Sequence, residues 1–559
     1  MPENSPSYGE FYTPPWLARL ILDESGYDGA PGRRFLDPSC GPGVFLVLAI
    51  ERAKAYGKAL GEAPGATARR IVRDIQGFDL NPASVEAARG NYLAALGEPC
   101  EQAPVHCLDA ILQPPACEKF DYVIGNPPWV RWDYLPREYR EATLPLWKHY
   151  GLFSLRGYAA RLGGGKKDLS MLFTYAAADY YLKDGGTLGF LITQEVFKSK
   201  GAGEGFRRFR LGEDGPPLRI QSVHDFVKLR PFRTATNKTA AIFLTKGEKT
   251  AYPVPYYLWE RDRQGALRKQ TLAARPLGSD RGPWLASHGN ASRLEGSNPY
   301  KAMLGANANP YGIFWLEVRK VLPGGLVEVR NLPEMGKKPI SAVTAVIEAE
   351  LVYPAARGSD LQRWSAQPGL HVLAVQDPNT RCGYAETLME RKWPRVLDYL
   401  RQFREELLAR ALYRKYHQEA GRPFYSQFNI APETFSPFKV VWKRMSNDLS
   451  AAVISDWDGP LGKKPLLPLE TTAFIGTGNR HEAHYLCAVL NSQPARSFVK
   501  SFSAAGRGFG TPFVIGQIRI PKYDESNRLH RELAEASEAL HKDGSCGREA
   551  EIDALVLSL

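Results

Sequence analysis

The chain has 559 residues, 44% of them hydrophobic and 24% charged, which excludes a collagen-like, largely disordered or disulfide-stapled protein. No run approaches 18 apolar residues, Met1–Glu10 is not a basic-then-apolar leader, and the seven cysteines form no CxxC pair. A reduced, cytoplasmic protein with no membrane span, no secretory signal and no metal site is therefore expected. The formal charge of +12 is uneven: residues 1–130 carry 11 basic and 16 acidic side chains, 131–238 carry 19 and 11, and the remainder 42 and 33. A polyanion would be met by the later parts; the plainer reading is an even spread of solvated cations.

In chain order, Arg33–Asp37 is a short apolar run ending in an acid, followed by Gly41-Pro42-Gly43 and a helical stretch over Val44–Leu60. Asp74–Asp79 is a second strand, after which Asn81 is placed to cap a helix opened by Pro82. Pro104–Leu108 and Asp121–Gly125 are the third and fourth strands. These four finish at Asp37, Asp79, Asp109 and Asn126, so four polar side chains gather beyond the carboxyl ends of one parallel sheet, where such sheets bind ligands. Further on, Leu169–Leu182 has a helical pattern, Gly186–Thr193 is a buried strand, and Ser222–Phe226 with Ala240–Thr245 predicts a late hairpin. The alternation ends near Gly247. Beyond it the pattern is less regular, with one long helical segment over Trp393–Tyr416 and terminal helices over Leu529–Leu559. The expected division is residues 1–248, 249–525 and a helical tail over 526–559.

Three features carry chemistry. Asp37-Pro38-Ser39-Cys40-Gly41-Pro42-Gly43 lies between a strand and a helix, where glycines admit a ligand close to the backbone and the helix N-terminus offers unpaired N–H groups; a plain tight turn is the competing reading. Asp79 is placed to bind ribose hydroxyls, the alternative being a helix-capping acid, a role Asn81 already fills; Asp109 is placed to receive an adenine amino group, the plainer reading being a solvated loop aspartate. Asn126-Pro127-Pro128-Trp129 is a stiff turn that presents an amide oxygen and a proline carbonyl to one point, with a flat indole beside it. That set suits an exocyclic amino group on a planar base; the alternative is a rigid turn with a core tryptophan.

In this order the motifs resemble the γ-class N6-adenine DNA methyltransferases of restriction–modification and related phage-defence systems, over the first 245 residues. The matching segments are Gly9-Glu-Phe-Tyr-Thr13-Pro14, Asp37–Gly43, Asp79-Leu80, Asp109-Ala110 and Gly125–Trp129. Lys167–Phe173 and Gly185–Ile192 match later segments, and Phe232 falls where the family places an aromatic on the second face of the target base. Gly358–Trp364, Leu490–Ser492 and Gly506–Gly510 are similar to patterns in the target-recognition half of single-chain members.

The resemblance implies a Rossmann-like α/β methyltransferase sheet followed by a mixed α+β target-recognition domain, with S-adenosylmethionine as cofactor and double-stranded DNA as substrate. It places Thr13, Pro14, Asp37, Pro38, Ser39, Cys40, Gly41, Gly43, Asp79, Leu80, Asp109, Ala110 and Asn126 around the cofactor. Asn126, Pro127, Pro128 and Trp129 form its catalytic motif, with Trp129 and Phe232 stacking on an adenine extruded from the duplex. Cys40 lies on the cofactor side and is read as loop packing. Modification without cleavage is expected, with a separate nuclease or other defence-system subunits as partners. The competing classes are a protein-glutamine or RNA methyltransferase, and a DNA-binding subunit with an inactive methyltransferase fold.

Overall fold

The computed structural model describes residues 12–153, 167–198, 202–232, 238–287, 293–336, 339–503, 508–543 and 547–559. Gly9–Phe11, Gly506 and Arg507 of the motifs above lie outside them. The chain divides into two compact units, residues 1–288 and 289–559.

The first unit is built on a ten-stranded mixed sheet. Its elements in chain order are α1 (Pro15–Ser25), β1 (Phe35–Asp37), α2 (Val44–Ala59), α3 (Pro64–Asp74), β2 (Ile75–Asp79), α4 (Pro82–Leu96), β3 (Val105–Cys107), β4 (Phe120–Gly125), α5 (Arg137–His149), α6 (Leu169–Tyr180) and β5 (Leu182–Thr193). Then follow β6 (Leu218–Asp225), β7 (Thr239–Lys246), β8 (Val254–Arg261), β9 (Leu267–Pro276) and β10 (Trp284–Ser287). The spatial order is β10-β9-β8-β6-β7-β5-β4-β1-β2-β3. Strands β1 to β5 are mutually parallel and β7 runs antiparallel between β5 and β6.

Successive side chains on a strand point to opposite faces, and this sheet is covered on both. Phe35 enters a core with Leu17, Leu46, Ala49 and Val85 of α1, α2 and α4. Its neighbour Leu36 enters the other core, with Trp147 of α5 and Met171 and Tyr175 of α6. The expected cap is present: the Asn81 side chain accepts from the Ala83 N–H at 3.0 Å. The late hairpin is also present as β6–β7, with Asp225 opposite Ala240.

The unit does not end at residue 248. Strand β8 pairs in parallel with β6, Val223 opposite Tyr256 and Asp225 opposite Leu258, and buries Val254, Tyr256 and Trp259. Strands β9 and β10 extend the same sheet. Much of β9 faces solvent on both sides, so its sequence lacks the apolar alternation that would mark it as part of the sheet.

The second unit holds a six-stranded sheet in the order Thr344–Glu348, Leu326–Asn331, Trp315–Leu322, Leu370–Leu373, Val352–Ala356 and Leu467–Pro468. A four-stranded sheet runs Met303–Leu304, Thr472–Thr477, Phe438–Lys443 and Ala451–Ile454. The long helix expected over 393–416 is broken into Pro394–Arg401, Arg404–Leu408 and Ala411–Tyr413. At the second break Arg410 is buried and donates to the carbonyls of Leu407, Asn309, Ser426 and Phe424 instead of facing solvent. The terminal helices Arg528–Asp543 and Arg548–Leu557 are no separate tail either. Glu549 accepts from the Trp364 indole at 2.9 Å and pairs with Arg363 at 2.7 Å, and the Val453 N–H donates to His541 Nε2 at 2.9 Å.

Candidate active site

The carboxyl ends of β1, β2 and β4 converge on the turn Asp37–Gly43. Asp37 is 1% exposed, and its Oδ1 accepts from the Ser39 N–H at 3.1 Å. Burial pushes its carboxyl well above the usual carboxylate range; the Ser39 N–H pulls it back and the nearby Asp79 adds to the rise. On the neighbouring strand β4, a Cβ added to Gly125 would lie 2.3 Å from Asp37 Oδ1. Only a glycine therefore lets this carboxylate reach the main chain at the root of the Asn126-Pro-Pro turn.

Asp79 clasps the other side of the turn. Its Oδ2 accepts from the Gly41 N–H at 2.8 Å and its Oδ1 from the Asn81 N–H at 2.9 Å, so it joins the turn to the start of α4. Gly43 opens α2 at φ +91°, and its missing side chain admits Ala88 of α4, whose Cβ would be 3.3 Å away. Tyr12 lies over this turn, 3.7 Å from where a Gly41 side chain would begin, and buried Thr13 and the helix-opening Pro14 follow it. Pro38 is buried. Cys40 is buried too, its N–H donating to the Phe78 carbonyl at 2.9 Å, and its Sγ packs against Gly77. Burial and the charges of Asp37 and Asp79 push its thiol up, so it is held protonated, as packing requires and nucleophilic attack does not.

Asp109 is turned into its own loop. Its Oδ1 accepts from the N–H groups of Ile111 and Leu112 at 2.8 and 2.9 Å, and the Tyr139 hydroxyl, raised by burial and by Asp109, lies against it. Ala110 is buried beside it, whereas Leu80 is 55% exposed and presents an apolar surface directly after Asp79.

Asn126 is half-buried with its amide oxygen shielded from solvent; Pro127 is buried and Pro128 half-buried. Trp129 is 4% exposed, donates its indole N–H to the Leu191 carbonyl at 3.2 Å, and packs in the α1–α2 core. Phe232 is brought to it, as expected, but the two rings meet edge to face at 5.2 Å and 81°, not as parallel plates with a gap between them. A base enters between these rings only if Phe232 moves aside.

Sequence reasoning named Gly125 only as the first residue of the catalytic segment, without its contact to Asp37, and passed over a buried trio of Gln194, Asp225 and Tyr256. A partial signal for Asp225 was there: it lies one residue from the end of the predicted strand Ser222–Phe226, close to where the three acids and the amide above stand on theirs.

Among the described residues, no group of three or more His, Cys, Asp or Glu side chains could hold a metal ion, and no helix is long and apolar enough to cross a membrane.

Residues 101–229 match the family described as Eco57I restriction-modification methylase, and residues 14–132 match the RMKL-like methyltransferase domain. The chain is 26% identical over 258 residues to the Type II methyltransferase M.BstVI of Geobacillus stearothermophilus, covering 43% of this chain and 42% of that protein. It is 26% identical over 566 residues to the Type II methyltransferase M.XhoI of Xanthomonas vasicola, covering 95% of this chain and 94% of that one. Its fold is similar to that of the Type IIL restriction-modification enzyme MmeI in complex with DNA, with a TM-score of 0.52 at 12% identity over 97% of this chain and 71% of that one. The fold is thus a Rossmann-like methyltransferase sheet with an additional α+β domain, and the chain is similar to the restriction–modification methyltransferases, the segment that matches their methylase family lying in residues 101–229 of its first unit.

Proposed function

We propose that the protein is a site-specific DNA methyltransferase that transfers a methyl group from S-adenosylmethionine to N6 of an adenine extruded from duplex DNA, as the modification activity of a restriction–modification or related phage-defence system. The observation that supports this reading is the contact between Asp37 and Gly125, which brings the turn Asn126–Trp129 against the turn Asp37–Gly43.

The residues present fit that cofactor. Ser39 Oγ is buried in the Asp37–Gly43 turn and makes no hydrogen bond among the described residues, so a polar ligand group has a partner there. Asp37 is a buried carboxylate suited to a cationic ligand, Asp79 places a carboxylate beside the turn, suited to ribose hydroxyls, and exposed Leu80 suits the face of a purine. Tyr12, Thr13 and Pro14 would close over the loop, with Asp109 and Ala110 at the purine edge. When bound, S-adenosylmethionine supplies an electrophilic methyl group.

The chain's own residues do the rest. Asn126 Oδ1 and the Pro127 carbonyl would accept the two amino hydrogens of the base, turning the nitrogen lone pair toward the cofactor loop and stabilising positive charge as it develops. Pro127 and Pro128 fix the direction of these acceptors. Extrusion costs about a few kcal/mol, which stacking against Trp129 and a displaced Phe232 would offset. The basic second unit would read the recognition sequence, and a separate nuclease would supply cleavage. The likeness in fold to MmeI, whose structure is in complex with DNA, supports DNA over tRNA or protein as acceptor. The test is incubation with isotopically labelled cofactor and unmodified DNA, tRNA or peptide, followed by mass analysis of nucleosides. Labelled N6-methyladenine from DNA is expected; label in RNA or glutamine alone would overturn the reading.

A further inference from the structure

A buried polar trio lies at the same edge of the sheet as Asn126. Gln194 follows β5, Asp225 ends β6 and Tyr256 is in β8; they are 4%, 3% and 3% exposed. The Tyr256 hydroxyl donates to Asp225 Oδ2 at 2.5 Å, and the Gln194 amide donates to the same oxygen. The other oxygen, Oδ1, accepts from the Val227 N–H at 2.9 Å. One carboxylate therefore ties two strands together with one oxygen and opens a turn with the other.

That turn leads to Phe232. The Leu229 and Arg230 N–H groups both donate to the Phe226 carbonyl, at 2.9 and 3.1 Å, and Arg230 is left-handed at φ +46°. A non-glycine residue in that region is held there only when its surroundings over-determine it. Pro231 and Phe232 follow at once, with the Phe232 ring edge-on to Trp129. The strand before Gln194 in turn supplies Leu191, whose carbonyl accepts from the Trp129 indole. Asp225 is thus bonded to the strand that holds one aromatic and to the turn that carries the other. A purely structural buried carboxylate would need only to be satisfied; this one divides its two oxygens between the two halves of the proposed base site.

We propose that Asp225, held by Gln194 and Tyr256, is a positioning residue that sets Phe232 against Trp129. The inference rests on the methyl-transfer reading for its consequence, but not for its geometry. Asp225→Asn keeps an acceptor for Val227 and replaces the oxygen shared by Tyr256 and Gln194 with a donor, so both present bonds are lost and either partner must turn its own oxygen to accept instead. It should lower kcat on unmodified plasmid DNA about 10-fold, with cofactor Kd within about 2-fold of wild type. Tyr256→Phe, which removes one donor, should lower kcat about 3-fold. Because Asp225 acts through Phe232, adding Asp225→Asn to Phe232→Ala should cost less than about 2-fold more.

A second readout needs no substrate. Hydrogen exchange of the Leu229 and Arg230 amides should speed up about 10-fold in Asp225→Asn, with α2 and β1 unchanged. Exchange as slow as in wild type, or additive losses in the double variant, would overturn the positioning role. A wild-type protein that methylates no DNA would instead overturn the reading on which its consequence rests. The single Tyr256→Phe variant keeps the test open if Asp225→Asn fails to fold.

Discussion

The Asp37 carboxylate occupies the space in which any side chain at position 125 would have to begin, with Oδ1 2.3 Å from that point. Two neighbouring strands thus share one volume: β1 fills it with an acid and β4 leaves it empty. The acid belongs to the proposed cofactor loop, and the glycine precedes the proposed acceptor asparagine, so a change at 125 is felt on both sides at once.

Gly125→Ala should therefore push the Asp37 carboxylate off its seat. Overpacking of this kind costs about 1–3 kcal/mol. We expect cofactor affinity to fall about 10-fold or more and Tm to drop by a few degrees, both by the same displacement. Gly90 in α4 is the control, because a Cβ there meets nothing within 4 Å; Gly90→Ala should be neutral or raise stability by about 0.5–1 kcal/mol. Calorimetric titration and thermal melting of both variants decide it. Unchanged cofactor affinity in Gly125→Ala would break the proposed link.

The charge of Asp37 makes a second prediction. Its carboxyl is raised by burial above the ordinary carboxylate value, so the folded protein binds this proton more tightly than the unfolded chain. The sign follows: the group contributes no penalty below the ordinary value, and stability falls as pH rises from there through the raised folded value. A cationic cofactor favours the carboxylate, so binding should release a proton, and affinity should increase with pH until Asp37 is already ionised in the free protein. Titrations in buffers of different protonation enthalpy measure that release. Asp37→Asn should bind more weakly and lose the pH dependence; a variant that keeps the same slope would remove Asp37 as its source.

Asp79, proposed to hold the ribose, also holds its own loop, which only the structure reveals. Because its oxygens hold the Gly41 and Asn81 N–H groups, Asp79→Ala should lower Tm as well as cofactor affinity, each by a loss of about 1.5–3 kcal/mol for a charged acceptor. Asp79→Asn keeps one acceptor and should recover much of the Tm while affinity stays low. Equal recovery of both would mean that the acid serves the loop alone.

How much of this was legible in the sequence depends on range. The ends at Asp37, Asp79, Asp109 and Asn126 were readable because an apolar run, a polar end and a glycine or proline turn are consecutive signals. The Asn81 cap was readable for the same reason. Trp129 was not, because its burial depends on Leu191, 62 residues away, and on Phe232 beyond that. The Asp225 trio spans 31 residues on either side, and no local pattern marks Gln194 or Tyr256 as its partners. The extension of the sheet to residue 287 escaped notice because pairing supplies the order that β9 lacks in its own alternation.

Asn126→Ala separates chemistry from binding. Its side chain is assigned to the amino group that accepts the methyl, not to the cofactor's main contacts. Methyl transfer should fall by at least about 100-fold, as expected when an acceptor that acts in the transition state is removed. Cofactor affinity should change by less than about 3-fold. Turnover near the wild-type rate would sink the assignment.

The aromatic pair gives the last prediction. Trp129 is a core residue by its burial, its bond to Leu191 and its place beside α1 and α2, so Trp129→Ala should cost about 3–5 kcal/mol of stability whatever its role in catalysis. That variant cannot report on stacking by itself. Trp129→Phe keeps a flat ring and gives up the indole bond, and should retain much of the activity with a modest loss in Tm. Phe232→Ala is the sharper probe, because admitting a base requires this ring to leave its edge-on seat against Trp129. If Phe232 then stacks on the extruded base, its removal should cost about 1–3 kcal/mol in turnover on a matched duplex carrying the recognition sequence. The cost should shrink when the target adenine lies opposite a mismatch, since that base is already easier to extrude. If Phe232 is only packing for Trp129, both duplexes should lose turnover equally and in step with the fall in Tm. Turnover on the two duplexes, measured beside thermal melting of the same preparation, distinguishes the outcomes.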